Sequence, residues 1–398
     1  MIKLLHTGDI HANKTRAKDI VKLINIYIEE IKTKSIDAVL FCGDFWDCAV
    51  VNNTSFSEIV VAMSRLISLV PVYMIYGTPF HEISNSLEIF QELGANVTSE
   101  PKLWTFSKGE ETINILGIPE PRRSDFIASS VEETNRLINK YLEKSFNVKS
   151  DYPTIVMFHG EVSGSHLQNG VKSKSDTQLT KKMYSQCNPV YIAAAHIHEP
   201  QTIDRIVHYC GSAIPCDFGE LHSPQYSLVT IDNGKVSFQG VNLPFSQNRV
   251  VECNFDLYSR LKDLNFKGLN VKVTLSLTPE QRKLFRVKDE AKKLQSATNA
   301  DNVTITISTT KEVSIRSKEI IKTTSLHDKL VIYSKVNNIK LTDSIINKAK
   351  EIEDNLLIKY SYPTHSFELL SLSLRGAKGL TGREEINIDF TDYQDGVI

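Results

Sequence analysis

The sequence predicts an α/β fold in which short buried strands alternate with helices. Strand-length apolar runs recur along the first half of the chain, and each ends in polar or glycine-rich residues. Between the first and second runs, apolar side chains are spaced three and four residues apart, which is the period of one helical face. The order strand, helix, strand is typical of a layered α/β core.

Six runs are predicted to be strands, and the stretch between the first and second runs is predicted to be a helix. The runs occupy residues 2–7, 38–42, 71–76, 113–118, 154–158 and 190–195. The helical face consists of Ile20, Leu23, Ile24, Ile28 and Ile31. A hairpin is predicted over residues 226–243, because Asp232-Asn233-Gly234 between two alternating runs is a strong turn signal.

The length of 398 residues predicts two or three domains, since one domain typically holds about 100 to 200 residues. We expect a first domain over residues 1–245 and a small α+β domain over residues 246–312, where strands and helices alternate again. The last two strands of this domain are expected to be joined by one helix at residues 279–295. Residues 313–362 are predicted to be a linker followed by a helix at 341–360. Residues 363–398 are predicted to form two alternating strands around a glycine-containing turn.

Composition and charge narrow the class of protein. The net charge is −1, but residues 251–360 contain 20 Lys and Arg against 14 Asp and Glu, so this part is mildly basic. Six cysteines without a CxxC pair indicate neither a structural zinc site nor a disulfide framework. The N-terminus lacks a signal-peptide pattern and no run of 18 apolar residues occurs, which argues against secretion and a membrane span. We therefore expect a cytoplasmic protein with no membrane partner.

Candidate metal ligands follow the predicted strands directly. In chain order they are Asp9 and His11, then Asp44 and Asp47, then His81, then His159, and finally His196 and His198. Sites in α/β sheets form at the carboxyl ends of strands, so we expect these side chains to converge on one edge.

The residue types suit a pair of divalent ions. Two such ions about 3.5 to 4 Å apart can hold a phosphate, activate a water and stabilise the departing oxygen. The site needs a carboxylate that bridges both ions, and Asp44 is the natural candidate. The remaining ligands are predicted to divide between the ions, with Asp9, His11 and His198 on one and His159 and His196 on the other.

Each of these side chains, taken alone, has a less specific interpretation. A single His after a strand is more often a solvated loop residue than a ligand, so the prediction depends on five strand ends in succession. Asp47 is interpreted as a group that orients a neighbour or caps a turn. Among the other histidines, His6 and His208 are expected to be structural, and the loop or surface positions are His166, His222, His327 and His365.

The motifs resemble those of the calcineurin-like metallophosphoesterases. "GDIH" at residues 8–11, "GDFWD" at 43–47, the single His159 and "AHIH" at 195–198 match that family in order and spacing. Within it, "YCGSAIPCDFGE" at 209–220 is similar to the SbcD-type DNA repair nuclease subunits. The resemblance implies a four-layer α/β/β/α sandwich with a small α+β capping domain and a C-terminal helical and β extension.

The resemblance also implies roles for individual residues. Asp9, His11, Asp44 and His198 would bind one metal ion, and Asp44, His159 and His196 the other. Manganese is the expected ion. His81 would contact the scissile phosphate and assist the leaving oxygen.

The sequence departs from the family pattern at two places. Ala195 replaces the usual glycine before His-x-His, which is a minor change. More important, the family's Gly-Asn-His becomes "GTPFH" at residues 77–81, so that Thr78 stands where the asparagine ligand is expected. We predict a weaker second metal site, with Thr78, a water or a backbone carbonyl in place of the asparagine.

The C-terminal segment and the helix before it suggest partners. Residues 367–398 resemble the opening strands of SbcC-type ATPases, although the chain contains no GxxxxGK[ST] phosphate-binding motif. One interpretation is a nuclease fused to its ATPase beyond Ile398, and the other is an ordinary amphipathic hairpin. The helix at 341–360 is predicted to dock an ATPase coiled coil in trans, to mediate homodimerisation, or to pack on the cap.

The function expected from these features is metal-dependent cleavage of DNA, in a bacterial or phage-infected cell. Candidate DNA backbone contacts are Arg122, Arg123, Arg282, Lys283 and Arg286, although a basic helix face is more often simply solvated. Two alternatives remain: a phosphatase acting on small molecules or proteins, and a DNA-binding subunit with a weakened second metal site.

Overall fold

The computed structural model describes most of the chain in two compact units, Met1–Thr310 and Lys311–Ile398. The described residues are 1–47, 54–126, 128–167, 170–309, 326–336, 342–348, 350–351, 371–375 and 385–389.

The first six-stranded sheet is built around β1. Its strands β1 to β4 run parallel, while two later strands extend it antiparallel on the other side of β1. From edge to edge the order is β12 (Lys235–Asn242), β11 (Gln225–Asp232), β1 (Ile2–Thr7), β2 (Ala38–Phe41), β3 (Val72–Ile75) and β4 (Asn96–Thr98).

The second six-stranded sheet has a parallel centre with an antiparallel strand at each edge. Its order is β5 (Lys102–Lys108), β6 (Glu111–Ile118), β7 (Thr154–His159), β8 (Pro189–Ala195), β10 (Val207–Tyr209) and β9 (Gln201–Ile203). All six predicted strands are present, and the Asp232 to Lys235 hairpin forms with Asn233 and Gly234 at positive φ, as its turn requires.

Apolar packing joins these sheets to two layers of helices. The faces between the sheets contribute Leu4, Leu40, Ile115 and Ile155 to one buried cluster. Other buried clusters join the outer face of each sheet to its helices. Among the described residues, three α-helices cover the first sheet and two the second: α1 (Ala17–Lys34), α2 (Thr54–Ile67) and α3 (Glu88–Glu92), then α4 (Val131–Ser145) and α5 (Lys181–Tyr184).

This arrangement confirms the predicted α/β/β/α sandwich. The predicted helical face is buried as a whole, because every one of its five apolar residues packs within α1 against the first sheet. None of the described helices is long and apolar enough to cross a membrane.

A small sheet of three parallel strands follows within the first unit. Its elements are β13 (Gln247–Asn254), α6 (Phe255–Leu261), β14 (Leu269–Leu277), α7 (Pro279–Leu284), α8 (Val287–Thr298) and β15 (Asn302–Thr309). The single helix expected between β14 and β15 is divided into α7 and α8. The break occurs because Phe285 adopts an extended conformation and packs 5.3 Å from the Tyr258 ring, measured between centroids.

The second unit contains α9 (Leu326–Val336), helical residues at 343–348 and 350–351, and the antiparallel pair β16 (Ser371–Arg375) and β17 (Glu385–Asp389). The two strands agree with the predicted C-terminal hairpin, whose turn lies outside the described residues. Most of the second half of the predicted helix at 341–360 also lies outside them. The domain boundaries, including the one at residue 245, stay predictions.

Candidate metal centre

Four of the predicted ligands occupy an unusual backbone conformation. Asp9, His11, Asp44 and His196 all have positive φ, at 50°, 47°, 51° and 99°. Residues other than glycine rarely adopt this conformation, and when they do they cluster at functional sites. Each follows a strand of the sandwich, so the chain turns sharply at the strand ends and presents polar side chains at one edge.

The first half of the site is formed by the loops after β1 and β8. Nε2 of His11 lies 3.1 Å from Nε2 of His198, and Nε2 of His198 lies 4.0 Å from Oδ1 of Asp9. Asp9 is fully buried, and both of its carboxylate oxygens accept hydrogen bonds from the backbone N–H of His196. Cys216 can also approach His11 and His198, and its Sγ accepts a hydrogen bond from a guanidinium nitrogen of Arg16 over 3.1 Å.

The second half of the site is centred on Asp44. Oδ2 of Asp44 lies 3.4 Å from Nε2 of His159 and 3.9 Å from Nε2 of His11, so this carboxylate stands between the two halves. Oγ1 of Thr78 lies 3.2 Å from Nε2 of His159 and 3.5 Å from Nδ1 of His196. Ligand atoms of Asp44, His159 and His196 all lie within 4.8 Å of one another.

Hydrogen bonds on the far side of two rings determine which nitrogen faces the site. Nδ1 of His159 lies 2.8 Å from the carbonyl oxygen of Cys42, which can only accept, so Nδ1 carries the proton. Nδ1 of His198 likewise lies 2.7 Å from Oε1 of Glu220. In the neutral tautomers, Nε2 of both rings therefore offers a lone pair to a cation.

Charges within the site shift the protonation of these groups strongly. Burial opposes the charged form of His159, but the Asp44 carboxylate raises the pKa of His159 to about 10. Burial also opposes ionisation of His198 and Glu220, but their mutual hydrogen bond raises the pKa of His198 to about 9 and lowers that of Glu220 to about 2. Burial and the charge of His159 lower the pKa of His196.

His81 lies at the exposed rim of the same site. Its ring centroid is 4.6 Å from that of His11, and its Nδ1 is 2.9 Å from Oδ1 of Asp47. Nδ2 of Asn13 donates to the other oxygen of Asp47 over 2.9 Å. Asp47 thus orients His81, which agrees with its interpretation as an orienting group.

A buried carboxylate ties together the loops that carry Asp44 and Thr78. Glu82 accepts hydrogen bonds from the backbone N–H groups of Phe45, Trp46 and Gly77, over 2.8, 3.2 and 2.6 Å. Burial and the Asp44 charge raise the pKa of Glu82 to about 7. A side chain at Gly77 would place its Cβ 2.2 Å from Oδ1 of Asp44, which explains why glycine precedes Thr78.

One carboxylate at the site was not predicted from the sequence. Oε2 of Glu120 lies 3.2 Å from Oγ1 of Thr78, 3.8 Å from Nε2 of His159 and 3.9 Å from Nδ1 of His196. Glu120 stands two residues beyond the end of β6, so the strand-end rule that located the other candidates applies to it as well.

The donor set fits divalent cations. The first half offers imidazole nitrogens and the Asp9 carboxylate, the second half imidazole nitrogens and oxygens, and Asp44 stands between them. Such mixed nitrogen and oxygen sets suit Mn²⁺, Fe²⁺ and Zn²⁺. The close approach of two imidazole nitrogens, His11 Nε2 and His198 Nε2, is also what a shared cation would require.

A cavity of about 340 Å³ adjoins the second half of the site. It is lined in part by Thr78, Phe80, Arg123 and His196, and Phe80 at this cavity is 92% exposed. Arg122 also lines it, but one guanidinium nitrogen donates to the backbone oxygen of Glu82 over 2.8 Å.

The remaining candidate DNA contacts lie on α7 and the turn after it, away from the sandwich loops in sequence. Arg282, Lys283 and Arg286 are all exposed, and one guanidinium nitrogen of Arg282 donates to the backbone oxygen of Phe285.

The two histidines that were expected to be structural lie between the sheets. Nδ1 of His6 is 2.9 Å from the Tyr191 hydroxyl, and Nε2 of His208 is 2.8 Å from the Ser227 hydroxyl. Both rings are buried and packed, so the structural role expected for them is confirmed.

The sequence matches known proteins over most of the sandwich. Residues 2–200 match the family described as calcineurin-like phosphoesterase. The SbcD component of nuclease SbcCD from Escherichia coli (strain K12) is 26% identical over 281 residues, which cover 63% of this chain and 70% of that protein. The component of the same name from Staphylococcus saprophyticus is 23% identical over 288 residues, covering 64% and 73%. A solved structure titled GAP50, the anchor in the inner membrane complex of Plasmodium, has a TM-score of 0.43 and 12% identity, covering 61% of this chain and 84% of that one.

Proposed function

Because the chain belongs to the calcineurin-like phosphoesterase family, we propose that it is a two-metal DNA nuclease of the SbcD type. The observation that carries the proposal is the convergence of imidazole and carboxylate groups at one edge of the sandwich, where hydrogen bonds at Nδ1 of His159 and His198 turn Nε2 of each ring toward the other site residues. The relatives named as SbcD components of nuclease SbcCD support the choice of a nuclease within the family.

In this proposal Asp9, His11, Asp44 and His198 hold one ion, and Asp44, His159 and His196 hold the second. The ions are expected to be manganese, and when bound they neutralise phosphodiester charge and activate a water. Asp44 is suited to bridge them, because its Oδ2 lies within 4 Å of one histidine from each half.

His81 is proposed to assist the departure of the sugar oxygen. Asp47 holds Nδ1 of His81 at 2.9 Å, which leaves Nε2 as the ring nitrogen that can donate to that oxygen. His81 stands at the rim, about a third exposed, where a substrate can reach it.

DNA is favoured over a small substrate by features outside the metal loops. The exposed cations Arg282, Lys283 and Arg286 on the three-stranded cap and Arg123 beside the metal loops are suited to phosphate contacts along a polymer. An SbcC-type ATPase acting in trans, or in cis beyond Ile398, is the proposed partner, with a homodimer as the assembly. The cytoplasm of a bacterial or phage-infected cell is the proposed location.

The test is a manganese-dependent nuclease assay on single- and double-stranded DNA beside a nucleotide monoester. The wild-type chain is expected to cleave DNA and to hydrolyse the monoester poorly, and chelation should abolish cleavage. Preference for the monoester would instead support the alternative of a phosphatase.

A second candidate function is a DNA-binding subunit with a weakened second metal site. Thr78 favours it, since a neutral hydroxyl stands where the family has an asparagine ligand. In that case the wild-type chain would bind DNA but show no manganese-dependent cleavage.

A further inference from the structure

We infer that Glu120 supplies a carboxylate oxygen to the second metal ion, in the place that the missing asparagine leaves. The inference rests on the proposed two-metal function and deepens it, because it names an additional ligand. Glu120 is then the group that takes the place of the asparagine ligand, instead of Thr78, a water or a backbone carbonyl.

The backbone holds Glu120 firmly beside the second half of the site. Its N–H donates to the backbone oxygen of Tyr76 over 3.3 Å, which joins it to the loop that carries Gly77 and Thr78. Pro119 and Pro121 flank it, so the conformational freedom of this short segment is restricted. The backbone therefore contributes little to the entropy that is lost when the carboxylate binds an ion.

The distances suit a shared ion. Ligand atoms about 2.1 Å from one ion lie roughly 3 to 4 Å from each other. Oε2 of Glu120 is 3.8 Å from Nε2 of His159 and 3.9 Å from Nδ1 of His196. Glu120 thus lies at the distance from both histidines of the second ion that is expected between ligands of one ion.

Thr78 is better suited to positioning than to binding. Its Oγ1 lies 3.1 Å from Oδ2 of Asp44 and 3.2 Å from Oε2 of Glu120, so the hydroxyl sits between two carboxylates. A hydroxyl has one proton to donate, and either carboxylate is a stronger acceptor and a stronger metal ligand than the neutral oxygen. Thr78 therefore sets the separation of Asp44 and Glu120.

Charge supports the same assignment. Without Glu120, Asp44 is the single carboxylate assigned to the second ion, and the bridging role divides it between two ions. A second carboxylate adds a hard anionic oxygen, which favours Mn²⁺. The missing asparagine predicted that the second ion binds weakly. With Glu120 as a ligand, we expect weak binding of the second ion only in variants that lack the Glu120 carboxylate.

The experiment is a Mn²⁺ titration of the full chain by calorimetry, with the bound ions counted by electron paramagnetic resonance. Glu120→Gln keeps the shape of the side chain and removes its charge, and Glu120→Ala removes the side chain. Glu161→Gln is the matched control, because it removes the same charge two residues from His159. Thermal melting in chelator shows whether each variant folds.

The wild type and Glu161→Gln are expected to bind two ions. Both Glu120 variants should bind the second ion at least about tenfold more weakly and keep the first, with unchanged melting in chelator. Two ions bound with wild-type affinity in Glu120→Gln and Glu120→Ala would overturn the assignment and leave the two-metal function standing. A wild type that binds a single ion would overturn both.

Discussion

Histidines serve opposite purposes at two places in this sandwich. At the edge, His159 and His198 lie against the carboxylates of Asp44 and Glu220, and the pKa values of the two histidines rise to about 10 and about 9. Between the sheets, His6 and His208 face hydroxyl groups, and burial lowers the pKa of both, that of His208 to about 4. The neighbours of the ring, and not its burial, distinguish the two groups.

The difference follows from what each environment can stabilise. Carboxylates at the edge create a negative cavity that favours a proton or a metal ion. The Tyr191 and Ser227 hydroxyls between the sheets satisfy neutral rings through hydrogen bonds and attract no cation. Changes at the edge should therefore affect metal binding and catalysis, and changes between the sheets should affect stability.

The largest effect is expected from Asp44→Ala. This change removes the carboxylate between the two halves, so manganese-dependent DNA cleavage should fall by at least about a thousandfold. Cleavage rates under single-turnover conditions measure the loss. Retention of substantial cleavage would contradict the bridging role.

His81→Ala should come next. Loss of a group that assists the leaving oxygen should lower kcat by about a hundredfold or more, with KM and Mn²⁺ affinity little changed. Asp47→Asn should lower kcat less, because it weakens the orientation of His81 and keeps the ring. A fall in Mn²⁺ affinity equal to that of Asp44→Ala would identify His81 as a ligand instead.

Glu220→Gln should have a smaller effect. Glu220 holds Nδ1 of His198, and such supporting groups typically contribute about 10- to 100-fold to metal affinity. Calorimetric Mn²⁺ titration should show weakening at the first ion. Glu199→Gln is a suitable control because it removes a carboxylate adjacent to His198 in the chain. Equal affinities in both variants would contradict the supporting role.

The smallest effect on activity is expected from His208→Gln, which should cleave DNA at nearly the wild-type rate. Its effect should appear in stability. The pKa of His208 falls from 6.5 to about 4 on burial, so the unfolded state binds more protons between these values. Stability should therefore decrease as the pH falls from 6.5 to 4.

This contribution is at most about 3 kcal/mol in the wild type and should be absent from the variant. Chemical denaturation in chelator at several pH values measures the difference. Parallel stability profiles for the two proteins would show that His208 makes no such contribution.

The sandwich and most of the candidate site could be predicted because their signals are local. The helical face of α1 and the strand-length runs are patterns within short windows. The motifs at residues 8–11, 43–47 and 195–198 each place ligand types directly after a strand. Parallel strands bring such positions to the same edge of each sheet.

Other features required the folded structure. Phe285 interrupts the helix expected in the cap because its ring packs near Tyr258, a contact that helical periodicity does not encode. Glu82 directly follows His81 in the sequence, as the acidic end of the family's motif does, but only folding places it under the backbone of Phe45 and Trp46.

The sequence by itself determined the order of ligand types along the strand ends, the α/β class and the absence of the asparagine at Thr78. Only the tertiary structure decided that a carboxylate stands near that position. Glu120 is 42 residues from Thr78 along the chain, and their side chains meet at 3.2 Å because the loops after β3 and β6 come together where the two sheets pack. A contact between sheets depends on their relative placement, which no pattern within one strand or helix specifies.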